Sequence, residues 1–365
     1  MFRSLDKWLI PWLRRAVSLP GVPADEPLHV FLAVCDHFEP LHHTDDAGAR
    51  ARLARWHSDY PRLASEFRDS SGRGPRHTFF YPVEQWDDCH VAAIREICRQ
   101  TGSEMEVHLH HDGDTEATLR EKLAEGIVRM KNAGVLARDS GGRGRFAFIH
   151  GNWSLCNSRP DGRWCGVPNE IEILRDLGCY ADFTFPSAPS DTQPRSVNQI
   201  GYAAESGSAR ALDSLVSAQV GATCQLRHSP RHLLLVQGPL ALNWKRRTRG
   251  IFPRLENADL TAANPPTPLR CTLWVRQHIH VTGRPGWLFV KLHTHGALPA
   301  NTDALLGAPM RAFLEFFTGQ FVRNRAVRAH FVTAREMANL IHAAEDGVPQ
   351  PPEACLDHCF QAGAS

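Results

Sequence analysis

The chain has 365 residues, of which 42% are hydrophobic, and its 41 basic and 39 acidic residues leave a formal net charge of +2. A chain of this size buries a full hydrophobic core as one large domain or two small ones. The balanced charge lacks the excess of basic residues typical of nucleic-acid-binding proteins, so we expect no nucleic-acid partner.

Residues 1–20 have the pattern of an amphipathic helix, with aromatic and leucine side chains toward one side and basic residues elsewhere. Two interpretations stay open. In the first, residues 1–18 form an interfacial helix that makes peripheral contact with a membrane surface. In the second, the helix packs on its own domain. The segment has no apolar run long enough for a signal peptide or a membrane span.

The ten cysteines are scattered along the chain, without the spacing of a disulfide framework or of a CxxC pair. This pattern predicts reduced thiols and a cytoplasmic location. If residues 1–18 contact a membrane, we expect the protein to lie at its inner face.

Strand patterns alternate with helix patterns over residues 25–345, whereas residues 346–365 have the composition of a loose C-terminal tail. This alternation predicts an α/β domain with a parallel sheet or barrel. The predicted strands are residues 29–35, 77–81, 104–109, 145–149, 179–185, 233–236, 271–275 and 287–292. The predicted helices are residues 47–68, 83–100, 115–132 and 169–177.

Four of the predicted strands end in polar side chains that can bind a metal or transfer a proton. Because the carboxyl ends of parallel strands meet at one edge, where α/β proteins build their active sites, we expect these four clusters to share a site. The four clusters are Asp36-His37-Phe38-Glu39, His108-Leu-His110-His111-Asp112, His150-Gly-Asn152-Trp153 and His293-Thr-His295.

The densest cluster, from His108 to Asp112, has the composition of a metal site. On a strand, His108 and His110 project to the same side, roughly 7 Å apart. Imidazole and carboxylate together suit Zn²⁺ better than Mg²⁺ or Ca²⁺. We therefore predict one divalent metal, with Zn²⁺ the first choice, bound by His37, His108 and one or both of His110 and Asp112. The alternative is a solvated loop that is rich in histidine.

The order of these clusters resembles the polysaccharide deacetylase superfamily, carbohydrate esterase family 4. The resemblance implies a distorted (β/α)7 barrel, with parallel strands and outer helices, that removes acetyl groups from N-acetylated sugars with a divalent metal. The family's first strand ends Thr-Phe-Asp-Asp-Gly, so Asp36 would match the catalytic base and His37 a metal ligand. In the family's His-Ser/Thr-x-x-His motif, His108 takes the first position and Asp112 the second, with His110 as substitute or supplement.

The remaining family motifs assign the other two clusters. The motif Arg-x-Pro-Tyr, which shapes the substrate groove, is replaced here by the stretch that contains His150, Asn152 and Trp153, which we predict to bind substrate. Trp153 could stack on a sugar face or pack in the core. The motif Leu-x-His supplies the catalytic acid, for which His295 is the first candidate and His293 the second.

Two functions from different classes follow from these residues. The first is a metal-dependent hydrolase that cleaves a C–N amide bond and deacetylates an N-acetylated sugar, polysaccharide or glycoconjugate. The alternative is a non-catalytic carbohydrate-binding or assembly protein on the same barrel. Asp36 and the imidazoles favour the enzyme, whereas the altered second and third motifs favour the binding protein.

Overall fold

The computed structural model describes residues 4–17, 27–321, 323 and 326–363, so the ends of the predicted N-terminal helix and C-terminal tail lie partly outside the described residues. The fold is mixed α/β, with a large, mostly parallel sheet and helices around it. The α-helices are α1 (Leu5–Val17), α2 (Asp46–Glu66), α3 (Asp88–Thr101), α4 (Glu116–Asn132), α5 (Glu170–Asp176), α6 (Pro268–Arg276), α7 (Pro299–Leu306), α8 (Ala308–Phe316) and α9 (Ala334–Glu345).

The strands are β1 (Leu28–His37), β2 (Thr78–Pro82), β3 (Glu104–Leu109), β4 (Ala137–Asp139), β5 (Gly144–His150), β6 (Cys179–Asp182), β7 (Ile200–Ala204), β8 (Leu215–Ser217), β9 (His232–Val236), β10 (Ala241–Thr248), β11 (Phe252–Glu256), β12 (Asp259–Leu260), β13 (Trp287–Thr294), β14 (Val327–Phe331) and β15 (Phe360–Gln361). The main sheet has the order β12-β13-β1-β2-β3-β5-β6-β9-β7-β8. Pairing is parallel from β12 to β9 and antiparallel at β7 and β8.

Most predicted elements are present, and β3 has the predicted bounds. The predicted strand over residues 271–275 is wrong, because this segment lies in helix α6. Thr267 caps that helix by accepting a hydrogen bond from the Arg270 amide, and Pro268 occupies its first turn. An N-cap threonine followed by proline favours a helix start, and this signal outweighs the β-prone residues that follow.

The sheet buries both of its faces. On its outer face, alternate residues such as Val30 and Leu32 of β1 pack in one apolar cluster with side chains of α2, α3 and α4. On the other face, which we call the α9 face, Phe31 and Ala33 of β1 pack in a second cluster with side chains of α9. Every residue of α9 is buried. The resemblance implies outer helices, whereas α9 is enclosed because its apolar surface covers the second face of the sheet.

The two ends of the described chain are packed on the domain. In α1, Trp8 is fully buried in a cluster with Ala188 and Leu240, and the Trp12 indole N–H donates to Gln277. The C-terminal segment, whose composition predicts a loose tail, pairs through β15 with β4, and Asn339 of α9 exchanges hydrogen bonds with its backbone. None of the described helices is long and apolar enough to cross a membrane.

A buried histidine pair far from the strand-end clusters predicts a specific acid sensitivity. His330 is 4% exposed, and its ring lies 2.9 Å from that of His29, nitrogen to nitrogen. Burial, with the neighbouring His29, lowers the pKa of His330 from 6.5 to about 4. Between these two pH values the unfolded chain binds the proton and the folded chain does not. Stability therefore falls as pH falls through this window, by about 1.4 kcal/mol per pH unit.

We expect His330→Gln to make this acid limb shallower by about one proton, measured as the free energy of unfolding in urea from pH 6.5 to 4. His228→Gln, at an exposed position, is the matched control and should follow the wild type. Parallel curves for His330→Gln and wild type would show that His330 does not titrate in this way.

Candidate metal centre

Parallel pairing brings all four predicted clusters to one edge of the sheet, with His150 of β5 level with Leu109 of β3. His37 is the last residue of β1, and His293 of β13 lies level with Cys35 of β1. His108 of β3 lies level with Pro82 of β2, which itself follows β1 in the sheet. The chain therefore leaves β1, β3 and β13 at neighbouring points, as the alternation of strands and helices predicts.

Glu39 lies at the middle of these strand ends, where it is 2% exposed. Its Oε1 atom is 3.0 Å from His108 Nε2 and 2.9 Å from His110 Nε2. Its Oε2 atom is 3.6 Å from His295 Nδ1 and 3.3 Å from His42 Nδ1. Four imidazoles from different parts of the chain thus surround one buried carboxylate.

His37 completes this group. It is fully buried, and neither of its ring nitrogens has a hydrogen-bond partner. Its ring centroid lies 4.9 Å from that of His108 and 4.7 Å from that of His295. Burial lowers the pKa of His37 well below 6.5, so the ring is neutral and keeps a free lone pair. His37, Glu39 and His108 offer ligand atoms that all lie within 4.8 Å of one another, and this group could hold a metal ion.

The hydrogen bonds behind the site fix which nitrogen of each ring faces Glu39. His108 Nδ1 is 3.0 Å from the Ile149 carbonyl, and His110 Nδ1 is 2.7 Å from the Glu84 carboxylate. Both partners only accept, so both Nδ1 atoms carry protons. In the neutral rings, the Nε2 lone pairs then point at a carboxylate oxygen about 3 Å away. That contact needs a proton or a cation between the atoms.

Without a metal, only a protonated imidazole can compensate the negative charge of the buried Glu39 carboxylate. Burial alone would raise the pKa of Glu39, but hydrogen bonds from His108, His110 and His295 hold it well below its ordinary value. Burial would likewise lower the pKa of His110, but hydrogen bonds to Glu39 and Glu84 raise it to about 9. A metal-free site at neutral pH therefore contains an ion pair, and a bound cation can replace its proton.

The predicted base, Asp36, lies outside this group of contacts. It is fully buried, with Oδ1 accepting from the Gly296 amide at 2.6 Å and Oδ2 2.8 Å from His77 Nε2. The residues of β1 that share its side of the strand, such as Leu32, pack on the outer face. The carboxylate at the centre of the imidazoles is Glu39, which follows the same strand end.

Of the other predicted site residues, Trp153 and His293 lie beside the group around Glu39, whereas Asp112 lies at the surface. Trp153 is half-buried, and its ring centroid lies 5.4 Å from that of His37 and 5.8 Å from that of His295. His293 lies beside the group at 6.5 Å from His37, ring to ring. Asp112 is exposed and accepts a hydrogen bond from the Trp164 amide.

His150 and Asn152 belong to a different neighbourhood. The His150 ring lies 4.5 Å from that of His111, and the Asn152 side chain donates to the His111 carbonyl. His150 and His111 form, with Cys165 and Glu170, a second buried group that could hold a metal ion.

The sequence interpretation assigned no role to Glu39, His111, Cys165 or Glu170. Glu39 stands in the acid-imidazole-acid run after the first strand, and His111 stands in the densest histidine cluster, so both carried a signal. Cys165 and Glu170 lie in a loop and at a helix start, where no periodicity marks a buried ligand.

No protein-family model matches this chain, and no curated protein matches it. The chemistry of the site is therefore inferred from its own side chains.

We expect the purified protein to bind a divalent metal at the group of His37, Glu39 and His108. His108→Gln should remove about one equivalent per chain, because it deletes a ligand whose orientation the Ile149 carbonyl fixes. Elemental analysis after equilibration with Zn²⁺ gives the stoichiometry, and His228→Gln is the control. An unchanged metal content in folded His108→Gln would exclude His108 as a ligand.

Gly151 lets the backbone approach the His110 ring. A Cβ atom at this position would lie 2.3 Å from His110 Cδ2, so Gly151→Ala must displace the ring. We expect a loss of metal affinity of about 10- to 100-fold, as for other changes in residues that orient metal ligands. Competition with a chromogenic chelator measures it. Gly319→Ala, where a Cβ meets open space, should leave the affinity unchanged.

Proposed function

We propose that the protein is a metal-dependent hydrolase that deacetylates an N-acetylated sugar, polysaccharide or glycoconjugate, on a distorted (β/α)7 barrel of the polysaccharide deacetylase type. The observation that carries the proposal is the buried group of His37, Glu39 and His108 with the partly exposed His295 beside it. Ligands at the carboxyl ends of parallel strands, with a titratable side chain at the rim, are the arrangement of α/β hydrolytic sites.

The residues of this group fit a divalent ion. His37 has two unpartnered ring nitrogens and Glu39 has an unpartnered Oε2 atom, all buried. Glu39 Oε1 lies 3.0 Å from His108 Nε2 and 2.9 Å from His110 Nε2, so a carboxylate and two imidazoles, ligand types that Zn²⁺ takes, already converge. When bound, a divalent ion would polarise an acyl carbonyl and make a water molecule more acidic.

His295 is the proposed proton-transfer residue. Its side chain is 26% exposed, whereas Glu39 is buried beneath it. In the proposed reaction, water attacks the acetyl carbon and gives a proton to the His295 imidazole. The C–N bond breaks, and His295 returns that proton to the leaving nitrogen, so acetate and a free amine are released. His293, which is 5% exposed, is less accessible to a substrate.

Asp36 has a positioning role in this proposal rather than that of the base. Both of its oxygens are engaged, and its Oδ1 holds the amide of Gly296, the residue that follows His295. The buried pair of Asp36 and His77 thereby fixes the turn that carries the acid-base residue. Moving a catalytic group by about 1 Å costs up to about 10²-fold in rate.

The aromatic side chains near the metal centre support a carbohydrate substrate. Trp153 lies against His37 and His295 and offers a ring on which a sugar face could stack. Trp164, which is 39% exposed, is held near the end of β3 by the hydrogen bond that its amide donates to Asp112. The Arg159 guanidinium, which pairs with Asp161, lies 4.0 Å from the Trp164 ring centroid and helps to hold that ring.

The test is acetate release from a panel of N-acetylated oligosaccharides and glycolipid precursors by the metal-loaded protein. We expect His295→Ala to lose about 10²- to 10⁴-fold in kcat, the usual contribution of general acid–base catalysis. Asp36→Asn should lose about 10²-fold in kcat with a smaller change in KM, because it acts through the position of His295. His57→Ala, at an exposed site on α2, is the control.

The outcomes separate the two classes of function. Full activity in His295→Ala would exclude the proposed proton transfer. Saturable binding of oligosaccharides without acetate release by the metal-loaded protein would instead support the carbohydrate-binding alternative. The position of Asp36, which lies outside the contacts around Glu39, favours that alternative.

A further inference from the structure

We propose that His111, His150, Cys165 and Glu170 form a second metal centre, closed to solvent, that holds one structural Zn²⁺ ion. Their ligand atoms all lie within 4.8 Å of one another. Each of the four side chains is 0% exposed. This inference concerns a different group of side chains from the centre at Glu39 and does not depend on the proposed reaction.

Strand geometry explains why this group lies apart from the Glu39 centre. In β3, Val107 and Leu109 pack on the outer face, and the next residue of that alternation is His111. In β5, Phe148 packs on the outer face, and His150 follows it by two. Both imidazoles therefore lie on the outer side of the sheet edge, where Glu170 begins α5.

Two of three measured distances within the group match those between ligands of a tetrahedral ion, and the third is longer. Glu170 Oε1 is 3.3 Å from His111 Nε2 and 4.0 Å from His150 Nε2, and Glu170 Oε2 is 3.5 Å from Cys165 Sγ. Ligands at about 2.0–2.1 Å from a tetrahedral Zn²⁺ lie about 3.3 Å apart, and those that involve sulfur lie farther. The pair of Glu170 Oε1 and His150 Nε2 must shorten by about 0.7 Å to reach this spacing.

A network of hydrogen bonds does not account for the group by itself. His150 Nε2 is buried and has no hydrogen-bond partner, and the nearest carboxylate oxygen of Glu170 is too far to accept its proton. A buried donor without a partner costs about 1–3 kcal/mol. A metal at Nε2 removes this cost. In the structure, His150 Nδ1 accepts a hydrogen bond from the Asn152 amide at 3.2 Å. With a metal on Nε2 the ring proton would lie on Nδ1, so the Asn152 amide would need another acceptor.

The surrounding groups are placed to support a thiolate and oriented ligands. The amides of Asn157 and Val167 donate to Cys165 Sγ at 3.3 and 3.5 Å. The Cys156 amide donates to Glu170 Oε2 at 2.8 Å. Hydrogen bonds from backbone amides to a sulfur and to a ligating carboxylate are the outer contacts that metal centres use to fix their ligands.

A carboxylate also lies behind His111. The His111 Nδ1 atom is 3.3 Å from Asp114 Oδ2 but makes no hydrogen bond in the structure, and Asp114 is held in turn by Lys122 Nζ at 2.8 Å. A proton on Nδ1 facing this carboxylate leaves Nε2 free to bind the ion.

The charge of the group selects a divalent ion with affinity for sulfur. A Cys165 thiolate and a Glu170 carboxylate carry two negative charges, and the two imidazoles are neutral, so a divalent cation makes this buried group neutral. Two nitrogens, one sulfur and one oxygen suit Zn²⁺ rather than Mg²⁺ or Ca²⁺. With four protein ligands and no exposed side, the centre is structural rather than catalytic.

The test uses the full chain with the Glu39 centre disabled by His108→Gln. In this background we expect about one equivalent of Zn²⁺ per chain. Replacement by Co²⁺ should give the near-ultraviolet absorption of a sulfur-to-cobalt bond. Adding Cys165→Ser or Glu170→Gln should reduce the metal content to near zero, and Cys165→Ser should remove the sulfur band. Cys98→Ser, at another buried free thiol, should retain both signals.

The outcomes also separate this centre from the one at Glu39. If wild type holds about one equivalent, which Cys165→Ser removes and His108→Gln does not, this proposal stands and the centre at Glu39 fails. Folded His108→Gln protein without the sulfur band would overturn the proposal, and so would a double variant with Cys165→Ser that keeps its zinc. The absorption measurement on His108→Gln protein needs no variant at Cys165. The proposal therefore stays testable even if Cys165→Ser does not fold.

Discussion

The burial of the Glu39 carboxylate is the constraint around which the end of the sheet is arranged. A carboxylate that is 2% exposed is tolerated only with positive charge and hydrogen bonds around it. Imidazoles from β3, from the residues just after β3 and β13, and from the loop after β1 supply them. Each strand must end at the right level for these rings to reach Glu39. A proton shared with His110 or a bound cation satisfies the same requirement, so the contacts that stabilise this part of the fold also prepare it for a metal.

The sequence predicted where the functional side chains cluster, but not which face of the sheet each occupies. The strand ends and the common side of His108 and His110 followed from apolar runs and from period-2 alternation. Because β1 is apolar on both faces, its pattern does not distinguish Asp36 from His37. In the structure, the alternation places His37 with Cys35 on the α9 face and Asp36 with Leu32 on the outer face.

Residues brought in by loops and helix starts could not be placed from the sequence. Glu39 lies beyond the strand end, Cys165 lies in a loop, and Glu170 is a charged residue at the start of a predicted helix, so only tertiary packing buries them. The same reason explains α9. A surface helix buries one face, whereas the second layer of apolar residues on the sheet buries all of α9.

The two buried groups that could hold a metal ion differ in exposure, and this difference separates their proposed roles. At Glu39 one side is open, since His295, His110 and His42 have side-chain exposures of 26, 30 and 38%. The group at Glu170 has no exposed side chain, so an ion there can only hold segments together. It would join the end of β3 to the loop that carries Trp153 and Trp164. A chain that had lost hydrolysis could keep the closed centre for folding, whereas the partly exposed histidines around Glu39 both stabilise that carboxylate and face a site that a ligand can reach.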